Sequence, residues 1–504
     1  MQHTQQSQLN QVSAIKALQT FALMAITVVL AFQSIKTGNP VYVGAVAALP
    51  LAIMFFFNRL DRVVLVCFIL FFADIAIPGK RFNMGVTGAL ILGAVYIPGL
   101  MARFVMRVKQ PGEKWLYMFI GVLVLVMAIR GTGLRVLGSQ TWGGLAYFNI
   151  IGGLIIYLFS GNLRFDKRQA LLLAVGIMAL AIVRVVLIKM GAATDDELMD
   201  LGISSVARSR YTWLAAPAYS FLPFILMMKK RVLLKYVFLL ALVSLIMLTG
   251  FRSKLIFVGM VWVIYTLFAC KNKKGFVAMA VLAGIGMYGL LAILGESMPV
   301  PVQRAVSFLP GLNLNPRIVS DAAGSVDWRL QIWAYAWTDL PKYLLVGRGI
   351  TFDVLAAVNQ LGMAAGGGAP FQAYLTHVYH SGPISITLDF GVLGLIALLG
   401  FQSSCLTYLF RELPKLDYSD WRSRWALAIG SMVVWSVFEF YAIFGDAAED
   451  LPLLLMRMSL ILIIIRSANK KADQGILDSR LDDSAMHNTN YGVLHEMDSS
   501  KRMV

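Results

Sequence analysis

In this chain of 504 residues, proton-transfer chemistry at neutral pH has few places to happen, because there are only five histidines. His3, His487 and His495 lie in polar terminal stretches, which leaves His377 and His380 in LTHVYHSGPISITLDFGVLGLIALLG, residues 375–400. Pro383 suits the first turn of the apolar helix that follows, since its fixed φ pre-forms that turn. His380 therefore stands just ahead of a helix N-terminus. The positive end of a helix attracts anions and disfavours protonation of a neighbouring imidazole. A neutral histidine beside an anion site is a candidate general base.

Stepping outward, 58% of the chain is hydrophobic, 14% is charged and the mean hydropathy is +0.72. Apolar runs of about 20 residues, enough to cross a bilayer core, recur along it. The fold class expected is an all-α polytopic membrane protein with about fourteen transmembrane helices. Their expected positions are 15–33, 40–57, 63–78, 87–106, 115–130, 142–160, 169–189, 211–228, 232–249, 253–270, 275–294, 383–410, 423–441 and 450–466. Lys and Arg crowd alternate connections, such as 58–62, 103–114, 162–168, 271–274 and 411–424. By the positive-inside rule these are cytoplasmic, with both termini. The divisions expected are a cytoplasmic tail at 1–14, helices 1–11 at 15–294, a large outer loop at 295–382, helices 12–14 at 383–466 and a disordered cytoplasmic tail at 467–504. Cys67, Cys270 and Cys405 belong to separate spans and suggest neither disulfides nor a metal site. No metal or other cofactor is expected.

The large loop is read as the functional head. Residues 325–341 have the pattern of an amphipathic surface helix ended by Pro341, with Trp333 and Trp337 read as packing or interfacial anchors ahead of sugar-stacking platforms. Residues 351–362 read as a second short helix. Arginine should be scarce on the translocated face, yet Arg130, Arg135, Arg208, Arg210 and Arg252 fall there, with Arg304, Arg317, Arg329 and Arg348 in the loop. A single outer arginine is most often a snorkelling or ion-paired side chain. Several together, on the face that holds both histidines, imply an anionic visitor such as a pyrophosphate. Gly250 would end one helix and Ser253 cap the next, setting Arg252 at the membrane edge.

HSGPISITLDFGVLGL, from His380 to Leu395, resembles the His-anchored motif of the bacterial O-antigen ligase and Wzy polymerase family: Asp389, Gly391, Gly394 and Leu395 occupy the family's acidic and G-x-x-G-L offsets. Upstream, Arg329, Trp333, Pro341, Gly347 and Gly349 are similar to its loop segment. LTGFRSK is similar to its T-x-S-R-G element, with Phe251 and Ser253 departing from it, and ARSRYTWLAAP to the element before, with Ala218 where asparagine is common. The likeness covers residues 205–400.

The resemblance implies a bacterial inner-membrane glycosyltransferase with its site facing the periplasm, which moves glycan from an undecaprenyl-pyrophosphate donor without metal or nucleotide sugar. His380 would then be the base or orienting acceptor. Arg210, Arg252 and Arg329 would bind the pyrophosphate, with His377, Arg208, Arg348 and Asp389 as accessory candidates. The expected activity is polymerisation of lipid-linked repeat units for exopolysaccharide, capsule or O-antigen. The alternatives are a ligase delivering polymer to lipid A core or another acceptor, and a lipid-linked oligosaccharide flippase. Expected partners are the lipid-linked glycan, membrane lipid, a chain-length regulator and polysaccharide export proteins; no nucleic acid is expected.

Overall fold

The computed structural model describes residues 64–65, 67–69, 109–132, 141–165, 167–189, 215–228, 232–249, 251–270, 272–353 and 368–468. The first four expected spans, apart from residues 64–65 and 67–69, and the tail beyond residue 468 lie outside these, as do Arg135, Arg208 and Arg210. Among the described residues the regular elements are helices except for one two-residue antiparallel pair.

The helices are α1 (Glu113–Arg130), α2 (Gly144–Phe159), α3 (Lys167–Lys189), α4 (Ala215–Met227), α5 (Val232–Thr249), α6 (Arg252–Ala269), α7 (Lys273–Leu294), α8 (Val300–Val306), α9 (Pro316–Tyr343), α10 (Gly368–Leu375), α11 (Gly382–Glu412), α12 (Trp421–Ala442) and α13 (Asp450–Ala468). Every expected span from 115–130 onward coincides with a helix to within a few residues. Five of them, α6, α7 and α11 to α13, are long and apolar enough to cross a membrane. Their packing separates two environments. α13 is buried almost throughout, between α2 and α12. α7 shows Leu282, Ile285 and Ile293 outward at 69%, 63% and 84% exposure, which only a lipid-like surrounding would tolerate along a whole helix.

The sequence signals for the ends are met locally. Asn272 and Asp420 cap α7 and α12 by accepting from Gly275 N and Arg422 N. Asn315 caps α9 with Pro316 at its first position, so that helix begins well before residue 325 and carries Pro341 inside its last turn. This corrects the 325–341 expectation: Gly324 and the small polar residues before it dilute the apolar stripe without ending the helix. In 351–362, Phe352–Asp353 is not helical but pairs with Thr141–Trp142 (the β-pair, β1 Thr141–Trp142 with β2 Phe352–Asp353); residues 354–362 lie outside the described residues. At α6 the structure also departs from expectation. Phe251 holds the N-cap position with no side-chain cap, and the helix starts at Arg252, so Ser253 is inside it. At the other end of the chain α13 runs to Ala468, two residues past the expected 466.

α11 is the element that positions the site. It is broken at Gly391, whose φ of 75° is open to glycine alone without strain. The segment after α9 docks into the break: Arg348 N donates to Leu388 O at 2.6 Å, Gly349 N to Asp389 O at 3.0 Å, and Val392 N to Leu344 O at 2.7 Å. A Cβ on Gly391 would sit 2.4 Å from Leu345 O, and one on Gly347 2.3 Å from Asp389 O. The backbone groups freed by the break are thus satisfied by the chain that returns to it. Arg130 Nε donates to Gly347 O, and Tyr147 OH accepts from Ile350 N, tying the same segment to α1 and α2.

Candidate functional site

One end of the bundle gathers the start of α6, the turn between α12 and α13, the entrance to α11, and α9 lying against that entrance. The other end carries Arg422, Arg424 and Arg466, which hydrogen-bond to backbone carbonyls of their neighbours. The two histidines lie at the first end, both with positive φ (64° at His377 and 54° at His380), an uncommon conformation for residues with a Cβ. The turn they form is held from several sides. Trp333 Nε1 donates to Tyr379 O at 2.8 Å. Asp446 Oδ1 accepts from the backbone N–H groups of Tyr379 at 2.8 Å and His380 at 2.9 Å.

Tyr379 divides the turn into two sites. Behind it, His377 Nδ1 lies 2.7 Å from Asp389 Oδ1. Arg348 bonds to Tyr374 O and Tyr379 OH, and Tyr374 OH to Asp339. His377 is 3% exposed and Asp389 fully buried, so a substrate cannot reach this pair without rearrangement. Burial, helped by the Arg348 charge and opposed by Asp389, holds the His377 pKa below its ordinary value and favours neutral imidazole. Three accessory candidates, His377, Arg348 and Asp389, are therefore brought together, but as an interior brace for the turn.

In front of Tyr379 stands His380. Its Nδ1 is 3.3 Å from Asp446 Oδ2. Its ring stacks on Phe444 at 4.2 Å between centroids and is flanked by Trp328 at 5.3 Å. The guanidinium of Arg329 lies 5.6 Å from the centre of the same Phe444 ring. Burial, then the charge of Arg252, lower the Arg329 pKa, and Asp446 works the other way. Arg252 donates to Ala322 O at 3.2 Å and lies in electrostatic range of Arg304 and Asp321, which pair with each other at 3.2 Å. Among the described residues, neither Arg252 nor Arg329 makes an ion pair. Two half-buried guanidiniums thus stand near one another, Arg329 with Asp446 and Arg252 with Asp321 as the carboxylate in range, and Arg329 shares the Phe444 ring with the His380 imidazole. Such an arrangement favours an arriving dianion over the empty site.

Of the sequence candidates, His380, Arg252 and Arg329 converge here. Asp446, Phe444, Trp328, Arg304 and Asp321 join them without having been singled out as site residues. Among the described residues, no group of three or more His, Cys, Asp or Glu side chains is arranged to hold a metal ion. Comparison with protein-family models and with curated proteins gives no match to either.

Proposed function

We propose that this protein is a membrane glycosyltransferase of the O-antigen ligase and Wzy polymerase type, which joins lipid-linked repeat units on the periplasmic face of the bacterial inner membrane. The observation that carries the reading is that Arg329, in electrostatic range of Arg252, lies 5.6 Å from the centre of the Phe444 ring on which His380 stacks, at one end of an apolar helical bundle. Transfer from a pyrophosphate needs two things at one place: fixed positive charge for a leaving group that gains charge in the transition state, and an acceptor for the hydroxyl proton. The bundle end provides both.

Asp446 Oδ2 stands 3.3 Å from Nδ1 of His380, so Nε2 is the nitrogen left to take the acceptor's proton. The acceptor hydroxyl oxygen attacks the anomeric carbon and its proton passes to Nε2. The bond from that carbon to the pyrophosphate oxygen breaks, and the electron pair leaves with the pyrophosphate between Arg252 and Arg329. The imidazolium formed is stabilised by the Asp446 carboxylate. Direct displacement inverts the anomeric centre. Arg210 is expected to join Arg252, as the family resemblance implies.

The test is a deletion strain complemented by wild type or H380A, with lipid-linked intermediates and surface polymer sized separately. Single repeat units that accumulate while polymer vanishes support the polymerase. Full-length lipid-linked polymer that never reaches its acceptor would mark a ligase. Normal polymer with correctly inserted H380A removes the base assignment.

A further inference from the structure

We infer that Trp328 forms a sugar subsite on the acceptor side of His380, a reading that rests on the glycan transfer proposed above. The imidazole is flanked by two aromatic rings, Phe444 at 4.2 Å and Trp328 at 5.3 Å, the latter inclined by 42°. Anything that delivers a hydroxyl to His380 must therefore lie along an aromatic wall. Phe444 is already engaged by the guanidinium of Arg329. Trp328, partly buried against the cluster of Ile332, Ala336 and Tyr379, is the other wall, and it immediately precedes Arg329 on α9, so consecutive residues serve the two halves of the reaction. Arg329 faces the departing charge and Trp328 the incoming ring.

A second observation points the same way. Trp328 Nε1 is shielded from solvent and, among the described residues, has no hydrogen-bond acceptor. A buried indole N–H ordinarily finds a partner, and one left without it is a cost that a ligand oxygen would remove. A tryptophan serving as an interfacial anchor would instead keep this N–H at the wet headgroup level. Trp337, two turns further along α9 and 60% exposed, fits that description. A pyranose matches the Trp328 environment: an apolar C–H face to lie on the indole, and a rim of hydroxyls of which one accepts from Nε1 while a neighbour reaches His380.

The experiment uses full-length protein in lipid nanodiscs, labelled with 5-fluorotryptophan, and the lipid-free repeat-unit glycan released by mild acid from the host's lipid-linked intermediates. The resonance of Trp328, assigned by its loss in W328F, shifts as glycan is added. In kinetics with that glycan as acceptor and lipid-linked donor held fixed, W328F keeps the ring but loses the donor and raises the acceptor KM about 3- to 10-fold, the range set by one hydrogen bond. W328A raises it further, and both leave the donor KM unchanged. A Trp328 resonance indifferent to glycan, or an effect confined to the donor KM, overturns the subsite. A wild type that transfers no glycan while the Trp328 resonance still moves with it removes the transferase reading and leaves the subsite standing.

Discussion

Asp446 holds His380 twice over. One carboxylate oxygen accepts from its backbone N–H at 2.9 Å, and the other lies 3.3 Å from its Nδ1. The two residues are far apart in sequence, and the contact joins the turn between α12 and α13 to the entrance of α11. The same carboxylate therefore fixes the backbone of the histidine turn and sets a negative charge beside the imidazole.

The two functions of Asp446 can be separated. D446N keeps an oxygen for the backbone N–H groups but loses the charge beside the imidazole, whereas D446A loses both. Transfer rate should fall by about 10²-fold or more in D446A, within the span attributed to a positioned base, and by less in D446N. Assays on membranes with matched protein levels would show this; a D446A enzyme at wild-type rate would remove Asp446 from the mechanism.

Arg252 and Arg329 should act on the donor. Hydrogen bonds to charged groups contribute about 1.5–3 kcal/mol each, so R252A or R329A should weaken donor binding roughly 10- to 100-fold, with a smaller loss for the lysine variants. Inorganic pyrophosphate should inhibit wild type and lose potency in both variants. Inhibition that ignores the two substitutions would show that the anion binds elsewhere.

His377 gives a pH signature. Its pKa in the folded protein is depressed below the ordinary 6.5, first by burial and then by Arg348. The unfolded state therefore binds more protons on acidification, and stability rises with pH across that interval. The contribution is full above about 6.5 and is lost as the pH falls from there through the folded pKa. Thermal unfolding in detergent should show this slope in wild type and a weaker one in H377N.

The break in α11 should be intolerant of a side chain. G391A places a Cβ 2.4 Å from Leu345 O at a φ of 75°, and strain of this kind costs about 1–3 kcal/mol. A lowered unfolding midpoint, with loss of transfer through misplacement of His380, is the expected result. G121A, on α1 where a Cβ meets nothing within 4 Å, is the control.

Helices α1 to α7 and α11 to α13 were legible because apolar runs of bilayer length declare themselves whatever they pack against. His380 was legible as one of two histidines outside the polar tails, and Arg252 and Arg329 as cations where cations are scarce. Asp446 was not. Its stretch, FGDAAED, reads as a short solvated turn between the last two spans, and only the returning α11 entrance makes it a partner. The signal available was an acidic residue in a loop on the same face as both histidines. Asp389 was noticed at its motif position, but sequence could not tell that it faces His377 behind the wall instead of His380 in front. Gly391 was legible only as a motif position within a continuous span at 383–410, because the carbonyls and amides that answer the break come from residues 344–349.

That docking also orders the assembly of the chain. A span inserted with a gap in its ladder leaves backbone groups unsatisfied at a depth where lipid cannot answer them. α11 completes its ladder only when the segment that precedes it folds back onto Leu388, Asp389 and Val392. Completion of this helix is thus contingent on residues 344–349, and the entrance that carries His380 takes its final shape when they dock.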